Sequence, residues 1–139
     1  NNCPDNGTCT FEVMKNKRLE IKEDGIGALY PVIGKGKNTV IKYEYNQKQD
    51  PRIADDQYTE VVYAEIKSGS KQLNLKNQDL QKAKVLFGRL CYCKGQSGYF
   101  LIEKGQLNVT TNQDKSVTYN LEFKIDEVPQ KINQFSVTE

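Results

Sequence analysis

Lys115-Ser116-Val117-Thr118-Tyr119-Asn120-Leu121-Glu122-Phe123-Lys124-Ile125-Asp126 is the run that decides the fold class. Val117, Tyr119, Leu121, Phe123 and Ile125 fall on one face of an extended chain. Thr118, Asn120, Glu122, Lys124 and Asp126 fall on the other. Strict period-two alternation of this kind marks a strand with one buried face. Residues 107–111 precede it, and Asn112-Gln113-Asp114 between the two runs supplies the turn chemistry of a hairpin.

Outward from that hairpin, period two persists. Cys9, Phe11 and Val13 alternate with Thr10 and Glu12 ahead of a turn at 15–17, and residues 19–22 resume until Asp24, Gly25 and Gly27 break them. Residues 28–33 extend again, a Gly/Lys turn at 34–37 follows, and Ile41, Tyr43 and Tyr45 then share one face of 40–45. Residues 47–57 are polar, contain Asp50-Pro51, and read as a long loop. Residues 59–67 alternate once more before Ser68-Gly69-Ser70.

The segment with helix chemistry is short: at 77–83, Asn77 is placed to cap and Asp79 suits the first turn. Residues 84–93 are apolar and central, with Gly88 as a bulge. Gly95 and Gly98 bracket a turn before 99–103. Pro129 interrupts the chain, and 132–137 form a last edge strand.

These runs predict a single all-β domain over 1–139: an antiparallel β-sandwich or partly closed barrel of about eight to ten short strands. Alternation puts Phe11, Val13, Tyr43, Tyr63, Phe87, Tyr119, Leu121, Phe123 and Ile125 in its core.

The 139 residues suffice for a core of their own. A net charge of +2 implies no special attraction to nucleic acid or an anionic membrane. No apolar run has the length of a transmembrane helix. The absence of histidine excludes Ser-His and Cys-His nucleophile pairs and histidine-metal sites. No metal and no cofactor is expected. The carboxylates Asp50, Asp55, Asp56, Asp126 and Glu127 sit in loops or at strand ends, where solvated surface charge is the ordinary role. A carboxylate-dependent glycan hydrolase is the enzymatic alternative that they leave open.

Four cysteines, Cys3, Cys9, Cys91 and Cys93, read as a disulfide framework and hence an oxidising compartment. A bond within Cys91-Tyr92-Cys93 strains an extended backbone, so each is expected to join an N-terminal cysteine. An antiparallel pairing of 9–13 with the strand ending at Cys93 sets Cys9 opposite Cys91 and Cys3 near Cys93, with the swapped pairing as the alternative. Closing a loop of about 80 residues stabilises by roughly 4–5 kcal/mol in the chain-entropy model. The rivals are free or redox-active thiols and a four-thiolate zinc site, which the one- and five-residue spacers suit poorly.

The recognition residues this pattern suggests are Arg89, Tyr92, Lys94, Gln96 and Tyr99, around a glycine-bracketed turn next to two cysteines. Because Cys91 and Cys93 share a strand face, Tyr92 turns to the other and is itself a core candidate. A rigid loop at 94–99 also fits an inhibitor that plugs a secreted hydrolase.

At Cys3-Pro4-Asp5-Asn6-Gly7-Thr8-Cys9-Thr10-Phe11-Glu12-Val13, and again over residues 86–100 from Leu86-Phe87-Gly88 through Cys91-Tyr92-Cys93 to Gly98-Tyr99-Phe100, the chain resembles small exported lipoproteins of marine and soil Bacteroidetes. The resemblance implies an envelope location, in the periplasm or at the outer membrane or cell surface, with a lipidated cysteine upstream of Asn1 as the membrane attachment. It carries no activity. The resulting expectation is a non-enzymatic exported β domain that binds or assembles with an envelope protein or glycan.

Overall fold

Alternation on either side of Asn112 folds as the sequence suggests, and the same rule organises most of the chain. The structure is a computed structural model that describes residues 3–53 and 56–139. Its strands are β1 Gly7–Glu23, β2 Leu29–Gln47, β3 Tyr58–Ile66, β4 Gln72–Lys76, β5 Leu86–Cys91, β6 Gly98–Leu101, β7 Gly105–Thr111, β8 Val117–Phe123 and β9 Gln134–Thr138. They form a five-stranded sheet, β1-β2-β3-β5-β6, and a four-stranded sheet, β4-β7-β8-β9. Every pairing is antiparallel. The two sheets pack as a sandwich, without closing into a barrel.

The core between the sheets follows the parity of each strand. Ile41, Tyr43, Tyr45, Val62, Ala64, Ile66 and Phe87 come from the first sheet; Leu107, Val109, Tyr119, Leu121, Phe123 and Phe135 come from the second. Tyr43 stacks on Phe135 with ring centroids 4.4 Å apart, and Phe87 meets Phe123 at 5.7 Å. Of the expected core, Phe11 and Val13 are half-buried against this cluster, since β1 is an edge strand.

Tyr63 departs from the expectation. In β3 the even positions face the other sheet, so Tyr63 lies half-buried on the outer face.

Two apparent turns, at 15–17 and 34–37, are not turns. They lie opposite each other in one long hairpin, where the register shifts between Lys15 and Arg18 and pairs Lys17 with both Lys35 and Asn38. Gly36 is needed there: a Cβ on it would sit 2.8 Å from the Lys17 backbone. Bulges bend a strand and sharpen its twist. Beyond them the hairpin folds as a strap over the outer face of the first sheet, and the distal part of β2 reaches β6, which is not its sheet neighbour. The Leu19 amide donates to Glu65 Oε1 at 2.6 Å, and Lys84 Nζ donates to the Leu19 carbonyl at 2.7 Å. Leu19, Val40, Val61 and Leu86 are all buried, outside the inter-sheet core.

The expected helix at 77–83 is a 3₁₀ segment, Asn77–Ala83, and Asn77 does not cap it. The Asn77 side-chain oxygen instead accepts the Gly105 amide at 3.2 Å, while Leu80 and Ala83 fill the core. Gly88 is not a bulge, for its register runs unbroken from Val61 through Gly88 to Tyr99. Its role is clearance: a Cβ there would lie 2.6 Å from the Tyr99 ring and 2.8 Å from Val61.

The disulfides overturn the expected long-range pairing. Cys3 bonds Cys9, and Cys91 bonds Cys93. Two facts account for this. Cys9 pairs with Tyr45 on β2, and β2 and β3 stand between β1 and β5. At about 4.8 Å per strand spacing, that separates Cys9 from Cys91 by roughly 14 Å, beyond bridging reach. Meanwhile β5 ends at Cys91, and a bend at Tyr92 brings the Cα atoms of Cys91 and Cys93 to 5.2 Å. Each bridge therefore braces only its own corner of the domain. Closing so short a loop contributes about 2 kcal/mol in the chain-entropy model, half of what the long loop would give.

Non-reducing peptide mapping will recover the two local loops and no peptide pair that joins the N-terminus to β5. Phe123→Ala is expected to cost about 3–5 kcal/mol in a urea melt, as for a fully enclosed aromatic ring.

Candidate functional site

The segment after β5 is built from below. Arg89 is only 9% exposed and points inward, so it is not part of a recognition surface. Its Nη1 donates to the Gln96 carbonyl at 2.9 Å, and the Ser97 hydroxyl donates back to the Arg89 carbonyl at 3.0 Å. The Gln96 amide closes the turn on the Cys93 carbonyl at 2.8 Å, and Gly95 takes a left-handed φ of 76°. With the Cys91–Cys93 bridge, these bonds hold a small rigid loop.

Tyr92 stands at its tip, 76% exposed, and Lys94 and Gln96 are exposed beside it. The bend that brings the two cysteines together also turns Tyr92 away from the core position that strand alternation suggested.

Tyr99 does not join this group. It lies half-buried on the outer face of β6, over Gly88, in the electrostatic neighbourhood of Tyr63, Lys42 and Glu44. Burial pushes its phenol up from the ordinary tyrosine range. Of the five residues suggested by sequence, the structure thus brings together Tyr92, Lys94 and Gln96.

Beneath the loop lies a polar cluster that the sequence reading missed. Arg89 Nε donates to the Tyr58 hydroxyl at 3.2 Å, and that hydroxyl donates to Glu60 Oε2. Glu60 is fully buried on β3 and also accepts the Lys131 amide at 2.7 Å and the Ile132 amide at 2.7 Å. The Tyr58 ring lies 5.1 Å from the Arg89 guanidinium carbon and 4.9 Å from Lys131 Nζ, within cation–π range. Burial, and then the bond to Glu60, push the Tyr58 phenol up to about 12. A glutamate in phase with Val62 and Ala64 was the available signal, since an inward charge demands partners.

The carboxylates singled out from sequence are dispersed. Asp50 is paired with Arg52 at 3.0 Å, and the bonds from Arg52 hold its carboxyl below the usual carboxylate range. Asp56 accepts the Asp50 amide at 2.7 Å. Asp126 is bonded to Lys104, and Glu127 is exposed. Asp55 lies outside the described residues. Among the described residues, no group of three or more acidic or cysteine side chains is placed to hold a metal ion. No protein-family model, no curated protein and no solved structure matches the chain.

The raised Tyr58 phenol sets a pH dependence. The folded state holds this proton more tightly than an unfolded chain, whose tyrosines ionise near 10. This contribution to stability is complete below about pH 10 and is lost as pH rises toward about 12. Denaturant midpoints will fall across that window in the wild type and less steeply in Tyr58→Phe. Parallel slopes for the two proteins would contradict the assignment.

Proposed function

We propose that this chain is a non-catalytic binding domain of an oxidising, extracytoplasmic compartment, and that it recognises an envelope partner through the loop that carries Tyr92. The observation that carries the reading is a large aromatic side chain held in solvent on a doubly fastened turn. Tyrosine supplies wide contact area at low entropic cost, and a preformed loop reduces the ordering penalty of association. Paired cysteines throughout the described residues support the compartment. Attachment through a lipid anchor upstream of Asn1 belongs to the same proposal.

A second reading is favoured by the same geometry. A rigid, protruding loop at 94–99, with Tyr92 beside it, suits insertion into the active site of a secreted hydrolase. The inhibitor would then be one form of the binding domain, with an enzyme as its partner. A glycan hydrolase draws no support from Asp50 or Asp126, whose carboxylates are occupied by exposed ion pairs.

The test compares immobilised wild type with a Tyr92→Ala, Lys94→Ala, Gln96→Ala variant against envelope extract and a panel of secreted hydrolases. A partner captured by the wild type should be lost by the variant at unchanged melting temperature. Tyr92→Ala alone is expected to remove roughly 2 kcal/mol of binding, the scale of an aromatic anchor. Equal capture by both proteins overturns the proposal.

A further inference from the structure

The first sheet ends at β6, and the outer edge of that strand is open. Ile102 donates its amide to the Val85 carbonyl at 3.0 Å, which fixes the phase of the β5–β6 ladder. In an antiparallel pair, residues alternate between facing their partner and facing away. Phe100 and Gly98 therefore share the phase of Ile102 and bond to β5, whereas Tyr99 and Leu101 present amide and carbonyl groups outward.

No backbone bond from the strap or any other described segment reaches those groups. The edge is short, but it lacks two of the usual safeguards. Lysines stand on the edge strands β1 and β4, whereas β6, like the edge strand β9, carries neither a charge nor a proline.

A recess of about 390 Å³ lies directly against this edge, between β6 and the tip of the strap at Gly27–Leu29. That volume falls in the range of small-ligand pockets, about 300–1,000 Å³. Leu29 and Leu101 give it apolar lining, and Glu103 and Glu127 line it as well. Both glutamates are exposed, and among the described residues neither is in a salt bridge. The nearby Lys104 and Lys124 are directed to Asp126, with Lys104 also within electrostatic reach of Glu127. The lining itself thus carries two carboxylates and no cation, in a chain of net charge +2.

We propose that this edge is a strand-addition site for an extended, basic peptide segment. Main-chain bonds to Tyr99 and Leu101 supply the pairing. Leu29 and the strap tip receive alternate side chains, and Glu103 and Glu127 select lysine or arginine. Open sheet edges recruit extended peptides in this way, with backbone bonds giving affinity and flanking pockets giving specificity. The site adjoins the Tyr92 loop at Ser97 but uses other residues for recognition, and it does not depend on that loop's function.

The experiment uses the whole chain and two capped synthetic peptides of alternating threonine and valine, one ending in lysines and the other in glutamates. Amide hydrogen exchange and chemical shifts are followed by NMR. The lysine peptide should protect the Tyr99 and Leu101 amides and bind at least about tenfold more tightly than the glutamate peptide.

Leu101→Pro deletes an outward amide while sparing the ladder to β5, and should weaken binding by about tenfold. Glu103→Lys with Glu127→Lys should reverse the peptide preference in a protein of unchanged melting temperature. Equal affinity for both peptides, or shifts located away from 98–103, overturns the proposal. Protection of Tyr99 and Leu101 that grows with protein concentration alone would identify a second copy of this chain as the occupant, and likewise overturns it.

Discussion

A single buried carboxylate, Glu60, ties the two sheets together. It sits on an interior strand of the first sheet and accepts the amides of Lys131 and Ile132, which lie just before the last strand of the second. The Ile132 amide lies in a buried site and the Lys131 amide in a partly buried one. A buried donor left without an acceptor costs about 1–3 kcal/mol, so the segment around Pro129 has few alternatives. Where that segment is pinned, Ile132 and Phe135 enter the core and Phe135 stacks on Tyr43. The last strand owes its place on the sheet edge to this anchor as much as to its own short ladder. Buried charge is weak as a source of net stability, but it discriminates sharply between one arrangement and its neighbours.

The same strand is committed on its other face. Val61 and Leu86 lie beneath the strap with Leu19 and Val40, so β3 and β5 bury apolar groups on both sides. A strap can reach across only because facing irregularities at 15–18 and 35–38 bend the long hairpin. Glu65 then fixes its height, accepting the Leu19 amide and the Asn38 side chain, with Lys84 3.5 Å away. The architecture is a two-sheet sandwich with a partial third layer made from its own first hairpin.

Period two was legible wherever one face of a strand meets water, and it placed Tyr119, Leu121, Phe123 and Ile125 inside. It failed on β3, where both faces are covered. Tyr58 to Ile66 presents apolar residues at odd and even positions alike, and the bulkier Tyr63 drew the face assignment away from the glutamate that is inside. The bulged hairpin was misread for a related reason: glycines and lysines that look like turns also suit a bend within a continuous strand. Disulfide pairing depends on strand order, which no local pattern encodes. Arg89 looked like a surface cation because its acceptors, Gln96 and Tyr58, are distant in sequence or carry no charge.

Arg89 also links the Tyr92 loop to the interior and to the start of β6. Its side chain fastens the Tyr92 loop through Gln96 and reaches Glu60 through Tyr58, while its backbone pairs with Gly98 at the start of β6. The loop leaves the sheet and returns to it within six residues, from Tyr92 to Ser97, and buries little of its own. A segment of that kind has too few contacts to order itself, and its stiffness has to be borrowed from the interior. Arg89 and the Cys91–Cys93 bridge supply it, one by a charge-assisted bond to Gln96 and the other covalently. Preorganisation at the surface is thus a consequence of the polar chain in the core, and one of the five residues suggested as binding contacts is instead the support that makes binding by its neighbours economical.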